Sequence, residues 1–231
     1  MKRLCSFVLA MIIILSGPLS YAGSGVKLLS VEIGARPSGM GGAFTAVSND
    51  PYSGAYNPAS PCGIGPLAAS VGYNSYWENI RLENVYASFE KKSITYSAGV
   101  NFAVVDDIQG RGNTATSTYY PFDAHDISFK TGLSMKLDKN IAVGFMAGWI
   151  FEKIESYRGS AFNIDIGLLA QLTSKLNIGL AGMNLGPKMQ IREEKYQLPY
   201  AFRAGAVYKL TKFLPVLDFV IQDDDFHAHL G

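Results

Sequence analysis

The sequence predicts an all-β chain: an antiparallel transmembrane β-barrel, incomplete at about nine strands, set behind an export leader and an N-terminal segment of different texture. Three observations carry this reading. From Leu67 onward, side chains alternate with a period of two over segment after segment. One side of each segment is large and apolar, the other small or polar. The segments run to roughly ten to fourteen residues, where a soluble strand averages five or six and a tilted strand crossing a bilayer needs about nine to eleven.

The first residues are read as a leader. Lys2 and Arg3 form a charged start, and Leu4 to Leu15 is an almost unbroken apolar run. About a dozen residues is the length of a signal-peptide core and too short to span a bilayer as a helix. Gly17 and Pro18 end the run, which argues against an anchor helix, and Ser20-Tyr21-Ala22 places small residues where a signal peptidase reads. Residues 1–22 are therefore expected to be a signal peptide cleaved after Ala22. Cys5 lies at the start of the apolar run and not at the cleavage site, so a lipoprotein signal does not fit. Without Cys5, Cys62 has no partner for an intrachain disulfide and is expected to be buried and inert.

Residues 23–66 come next. Gly, Pro, Ser and Asn are frequent here and no period is sustained. Gly39, Gly41 and Gly42 permit tight backbone turns. Pro51, Pro58 and Pro61 cannot take a place in a strand ladder. Met40, Phe44, Val47, Tyr52 and Tyr56 are too apolar for a free tail. A segment packed inside the β-structure is expected, with a disordered leader as the alternative.

Residues 67–231 form the β-region. Leu67 to Trp77, Val85 to Phe89, Ile94 to Val104, Ile127 to Leu137, Ile141 to Phe151, Phe162 to Leu172, Leu176 to Leu180, Tyr200 to Leu210 and Val216 to Gln222 each alternate. Charged tight turns are expected at Glu90-Lys91-Lys92, Asp138-Lys139-Asn140, Ser174-Lys175 and Thr211-Lys212. Longer links are expected at Asp106 to Phe122, Glu155 to Ala161 and Gly186 to Pro199. Short turns on one rim and long loops on the other are how outer-membrane barrels are built. Aromatic residues near strand ends, such as Tyr76, Trp77, Tyr119 and Tyr120, fit an interfacial girdle. The strand number is odd where a single-chain barrel is even, so the chain is expected to lack its last strands.

The run Gly34-Ala35-Arg36-Pro37-Ser38-Gly39-Met40-Gly41-Gly42-Ala43-Phe44, then Asn49-Asp50-Pro51 and Tyr56-Asn57-Pro58-Ala59, resembles the opening of the FadL-like outer-membrane proteins, most closely the PorV/PorQ branch. The resemblance is specific over these residues. Beyond them it rests on the strand pattern and on Asp223-Asp224-Asp225 followed by His227 to Leu230, which looks like a later hairpin of that family. It implies a barrel plugged by its N-terminal segment, or hatch. It also implies a function in the outer membrane: transport of hydrophobic compounds such as long-chain fatty acids, or a structural or shuttle part in type IX protein secretion and surface attachment. Outer-membrane lipid, hydrophobic small molecules and secretion-system proteins are the implied partners. Asn57, Pro58, Gly41, Gly42 and Phe44 are the hatch and ligand-pathway residues so implied.

Within the β-region, Asp126, Lys130, Asp165 and Arg203 fall on the small, polar side and are expected to face the lumen. They either line a pathway or form charge pairs that grip the hatch. No nucleic-acid partner is expected, since 231 residues carry a net charge of only +1 with 17% charged residues. The Gly39-x-Gly41 run has no preceding strand and no βαβ unit after it, so it does not read as a nucleotide loop. His125-Asp126 could form a rim dyad, but a solvated loop end is the plainer reading. Asp223 to Asp225 lacks the alternate spacing of a calcium loop. No enzyme activity, cofactor or metal site is expected.

Overall fold

The computed structural model describes residues 27–77, 79–112 and 118–231. The expected signal peptide lies outside them. The β-region is one ten-stranded antiparallel sheet. Its strands, in spatial order, are β1 (Ala68–Ser75), β2 (Ile80–Lys91), β3 (Ile94–Arg111), β4 (Tyr119–Lys136), β5 (Ile141–Ile154), β6 (Tyr157–Gln171), β7 (Leu176–Leu185), β10 (Ala201–Tyr208), β11 (Val216–Gln222) and β12 (Asp225–Leu230). Between β7 and β10 lies a separate hairpin of β8 (Met189–Ile191) and β9 (Glu194–Tyr196). Every strand of the large sheet pairs with its sequence neighbours, except that β7 passes over the hairpin to pair with β10. The edge strands β1 and β12 do not pair with each other, so the sheet is open.

The period of two is realised as two contrasting faces. Val71, Tyr73, Val85, Phe89, Phe129, Leu133, Phe145 and Phe219 stand exposed on the outer face, Val71 at 77%. Several stack across neighbouring strands, as Phe89 does on Tyr96 with ring centroids 5.2 Å apart. Asn84, Ser88, Ser97, Asn101, Lys130, Asp165 and Asp218 are buried on the inner face. The burial is thus inverted relative to a water-soluble sheet, in which the large apolar side faces a core.

Turn chemistry explains the short connections. Lys92 and Ser93 both have positive φ (52° and 64°), the geometry that matches strand twist in a two-residue hairpin. Asp138 accepts the backbone N–H groups of Asn140 and Ile141, each at 2.7 Å. Asp223 and Asp224 (φ 50° and 71°) turn β11 into β12.

The structure corrects three expected loops and the strand number. The link from Asp106 to Phe122 is largely strand: β3 runs on to Arg111 and β4 begins at Tyr119, past a register shift between Val105 and Ile108. Glu155 to Ala161 shrinks to a turn, since β6 starts at Tyr157. Gly186 to Pro199 holds the β8–β9 hairpin. In the β3–β4 extension, Tyr119, Tyr120 and Pro121 are exposed on both faces, so no buried side imposes an alternation. The tenth strand is β12, exposed along its length except at His229, which is partly buried.

The described part of the N-terminal segment, residues 27–66, packs on the inner face. A 3-10 turn spans Lys27–Ser30, a one-turn helix Ala35–Gly39, and a second 3-10 turn Pro51–Ala55. Asp50 caps this last turn by accepting Tyr52 N–H at 2.9 Å, and Pro51 occupies its first position, where a missing N–H costs nothing. The sheet curls round the segment. Tyr52 packs against Tyr86 of β2 at 5.4 Å between ring centroids, while Gly41 abuts the backbone of Leu230 on β12. Phe44, Tyr56, Ile150, Met189 and Leu198 form the apolar core between segment, sheet and hairpin.

Candidate functional site

The inner face is built to receive the segment closely. Gly144 of β5 pairs directly with Gly167 of β6, and Gly179 of β7 pairs with Gly205 of β10. A Cβ at Gly144 would lie 2.1 Å from the Pro58 carbonyl oxygen, and one at Gly167 would lie 2.0 Å from Asn57 Oδ1. At Gly179 it would meet the Thr45 carbonyl at 2.3 Å, and at Gly205 the Asp218 Oδ1 at 2.0 Å. Glycine weakens a strand; Gly144, Gly167 and Gly179 make sense where the segment's backbone must approach, and Gly205 where the Asp218 carboxylate must fit.

Polar contacts fix the segment on this track. Asp218 is fully buried, and its Oδ2 accepts Phe44 N–H (2.9 Å), Thr45 N–H (2.9 Å) and the Thr45 hydroxyl (2.6 Å). Arg203 completes the cluster: its Nη2 donates to the Gly42 carbonyl at 2.8 Å and to Asp218 at 3.3 Å, and its Nε to Thr45 Oγ1 at 3.0 Å. The guanidinium also stacks 5.1 Å from the Tyr56 ring centroid. Asn57, also fully buried, donates through Nδ2 to the carbonyls of Thr45 (2.9 Å) and Leu168 (3.0 Å) and accepts Ala59 N–H at 3.0 Å. One side chain thus closes a turn within the segment and ties it to β6. Tyr56 closes a further loop, its hydroxyl exchanging hydrogen bonds with both backbone groups of Ile33. Burial raises the Tyr56 phenol well above its ordinary value, so it stays a neutral donor and acceptor.

A second buried cluster lies along the same wall. Lys130 donates to Asp165 at 2.6 Å and to Asn184 Oδ1 at 2.7 Å. Asn184, in a left-handed conformation (φ 56°), donates its N–H to Asp165 at 2.6 Å and its side-chain amide to the Pro199 carbonyl at 2.9 Å. This locks the end of β7 where its register with β6 shifts. Above it, a cavity of about 70 Å³ is lined by Leu28, Ile33, Tyr56, Tyr86, Asn101 and Lys130.

The structure therefore brings together most of the sequence-derived candidates. Asn57 and Pro58 sit on the glycine track. Gly41 and Gly42 (φ 58° and 76°) turn the chain beside β12, and Phe44 is buried edge-on against Tyr56 at 5.4 Å. Lys130, Asp165 and Arg203 are on the inner face in buried charge pairs. Asp126 is on that face too, but apart from the anchoring clusters, opposite Glu152. The His125-Asp126 dyad does not form: neighbouring strand residues point to opposite faces, and His125 instead stacks on Phe102 with centroids 6.3 Å apart. Thr45, Asp218 and Asn184 were missed. Their only sequence signal is a polar residue in the small-side register of a strand or beside a glycine run.

Compared with known proteins, the chain matches no family model and no curated protein.

Proposed function

We propose that this chain is an outer-membrane protein whose sheet is the wall of a FadL-like barrel, and that it carries hydrophobic compounds, such as long-chain fatty acids, past a plug formed by residues 23–66. The observation that carries the reading is the inverted burial. Large apolar side chains stand exposed on the outer face while charged and amide groups are buried inside. In water such a face would aggregate; against acyl chains it is the favourable arrangement.

Two measurements test it. In the native host, the protein fractionates with outer membranes and resists carbonate extraction; recovery in the soluble fraction would overturn the membrane reading. Labelled oleate uptake falls on deletion and returns on complementation; unchanged uptake would overturn transport alone. A second reading, a structural or shuttle component of type IX secretion, is favoured by the plug itself. Its buried ion pair and glycine track hold it firmly. Co-purification with secreted cargo, together with unchanged uptake on deletion, would select it.

A further inference from the structure

The inner face carries a polar group that the plug anchors do not use. Asp126 on β4 and Glu152 on β5 are direct cross-strand partners, so their carboxylates leave the sheet side by side. Glu152 is only 5% exposed, and its Oε2 has no hydrogen-bond partner. Ser128, the next residue on that face of β4, is 0% exposed and its Oγ likewise lacks a partner. The other fully buried carboxylates of this face are compensated, Asp165 by Lys130 and Asp218 by Arg203. Among the described residues no cation pairs with Asp126 or Glu152. Like charges directly opposite in a sheet repel, and the repulsion grows as water is excluded.

We propose that Asp126, Glu152 and Ser128 hold a divalent cation of the calcium class. Two carboxylates match its charge, and all three residues offer hard oxygen donors. Asp126 is only partly buried, which leaves room for water to complete the coordination shell, and calcium tolerates such irregular sets. The ion would bridge β4 to β5 directly below the hairpin: Gly159, the β6 partner of Glu152, is capped by the Gln190 carbonyl and Ile191. The site is independent of what cargo the protein carries.

The test uses the full chain in detergent, stripped with a chelator and titrated with calcium chloride. The melting midpoint is expected to rise by roughly 5 °C once calcium exceeds its dissociation constant about a hundredfold. In Asp126→Asn/Glu152→Gln the rise disappears, and that variant melts above the wild type in chelator because the repulsion is gone. Ser128→Ala weakens calcium about tenfold without abolishing it. Titration calorimetry on the wild type, which needs no variant to fold, is expected to give one ion per chain. No calcium-dependent shift in the wild type, a shift retained in the double variant, or no heat of binding would overturn the site. A wild type stabilised only by acidification would likewise overturn it, because the two carboxylates would then be sharing a proton.

Discussion

Replacing Asp218 with Ala should unseat the plug while leaving the sheet assembled. The substitution removes the acceptor of three hydrogen bonds, from Phe44 N–H, Thr45 N–H and the Thr45 hydroxyl, and leaves Arg203 without its carboxylate. The Arg203 side chain is 12% exposed, so little water is available to replace the lost partner. Breaking one side of a buried pair costs about 3–5 kcal/mol. If that loss falls on local opening of the segment, the open population grows by roughly two to three and a half powers of ten. Cys62 reports on it, being buried at the far end of the segment. With Cys5→Ser as background, maleimide labelling of Cys62 under conditions where opening and closing are fast relative to labelling should speed up by that factor in Asp218→Ala. The double variant Asp218→Ala/Arg203→Ala should recover part of it, because no buried charge is then left unpaired. A labelling rate within threefold of the parent would refute the idea that Asp218 holds the plug.

Other perturbations read the same architecture. Gly167→Ala places a methyl where Asn57 Oδ1 and the Ala59 nitrogen already sit, at 2.0 and 2.9 Å, whereas Gly39→Ala meets nothing within 4 Å. Denaturant midpoints should therefore fall by the equivalent of about 1–3 kcal/mol in the first and stay within about 0.5 kcal/mol in the second. Lys130→Ala strands Asp165 in the wall and should cost about 3–5 kcal/mol in the same assay, most of it restored by Lys130→Met/Asp165→Leu. Burial raises the Cys62 thiol above its ordinary value of 9.0, so less thiolate is present at any given pH. Its alkylation in the folded protein should keep rising about tenfold per pH unit through pH 9, and a plateau below that would contradict the buried placement.

What the sequence made legible follows from which constraints act on both sequence and structure. The alternation from Leu67 onward marks nine of the ten strands of the large sheet and their two faces, because one face is apolar and the other is not. It missed the strand extensions at Ile108 to Arg111 and Tyr119 to Phe122; at Tyr119 to Pro121 exposure on both sides removes the constraint. Asn57, Pro58 and Phe44 were readable because a buried aromatic and an Asn-Pro step stand out in a chain with no strand period. Asp218 was not, because one acidic residue in a small-side register looks like any other inner-face residue. The glycines were the overlooked signal. Gly144, Gly167, Gly179 and Gly205 all sit in strand interiors, where glycine is otherwise unfavourable. Register places them together, and register between distant strands is not written in any single segment.

The bond from Phe44 N–H to Asp218 joins residues 174 positions apart. During synthesis Phe44 and Thr45 emerge before any strand of the sheet, and β11, which carries their anchor, follows only after β1 to β10. Until β10 and β11 exist, the segment has neither its carboxylate nor the last glycine of its track. Contacts of such separation carry the full entropy of closing most of the chain into a loop before they return any stabilisation. Seating of the segment is thus a late event, and the order of assembly, sheet before segment, is imposed by where one aspartate stands in the sequence.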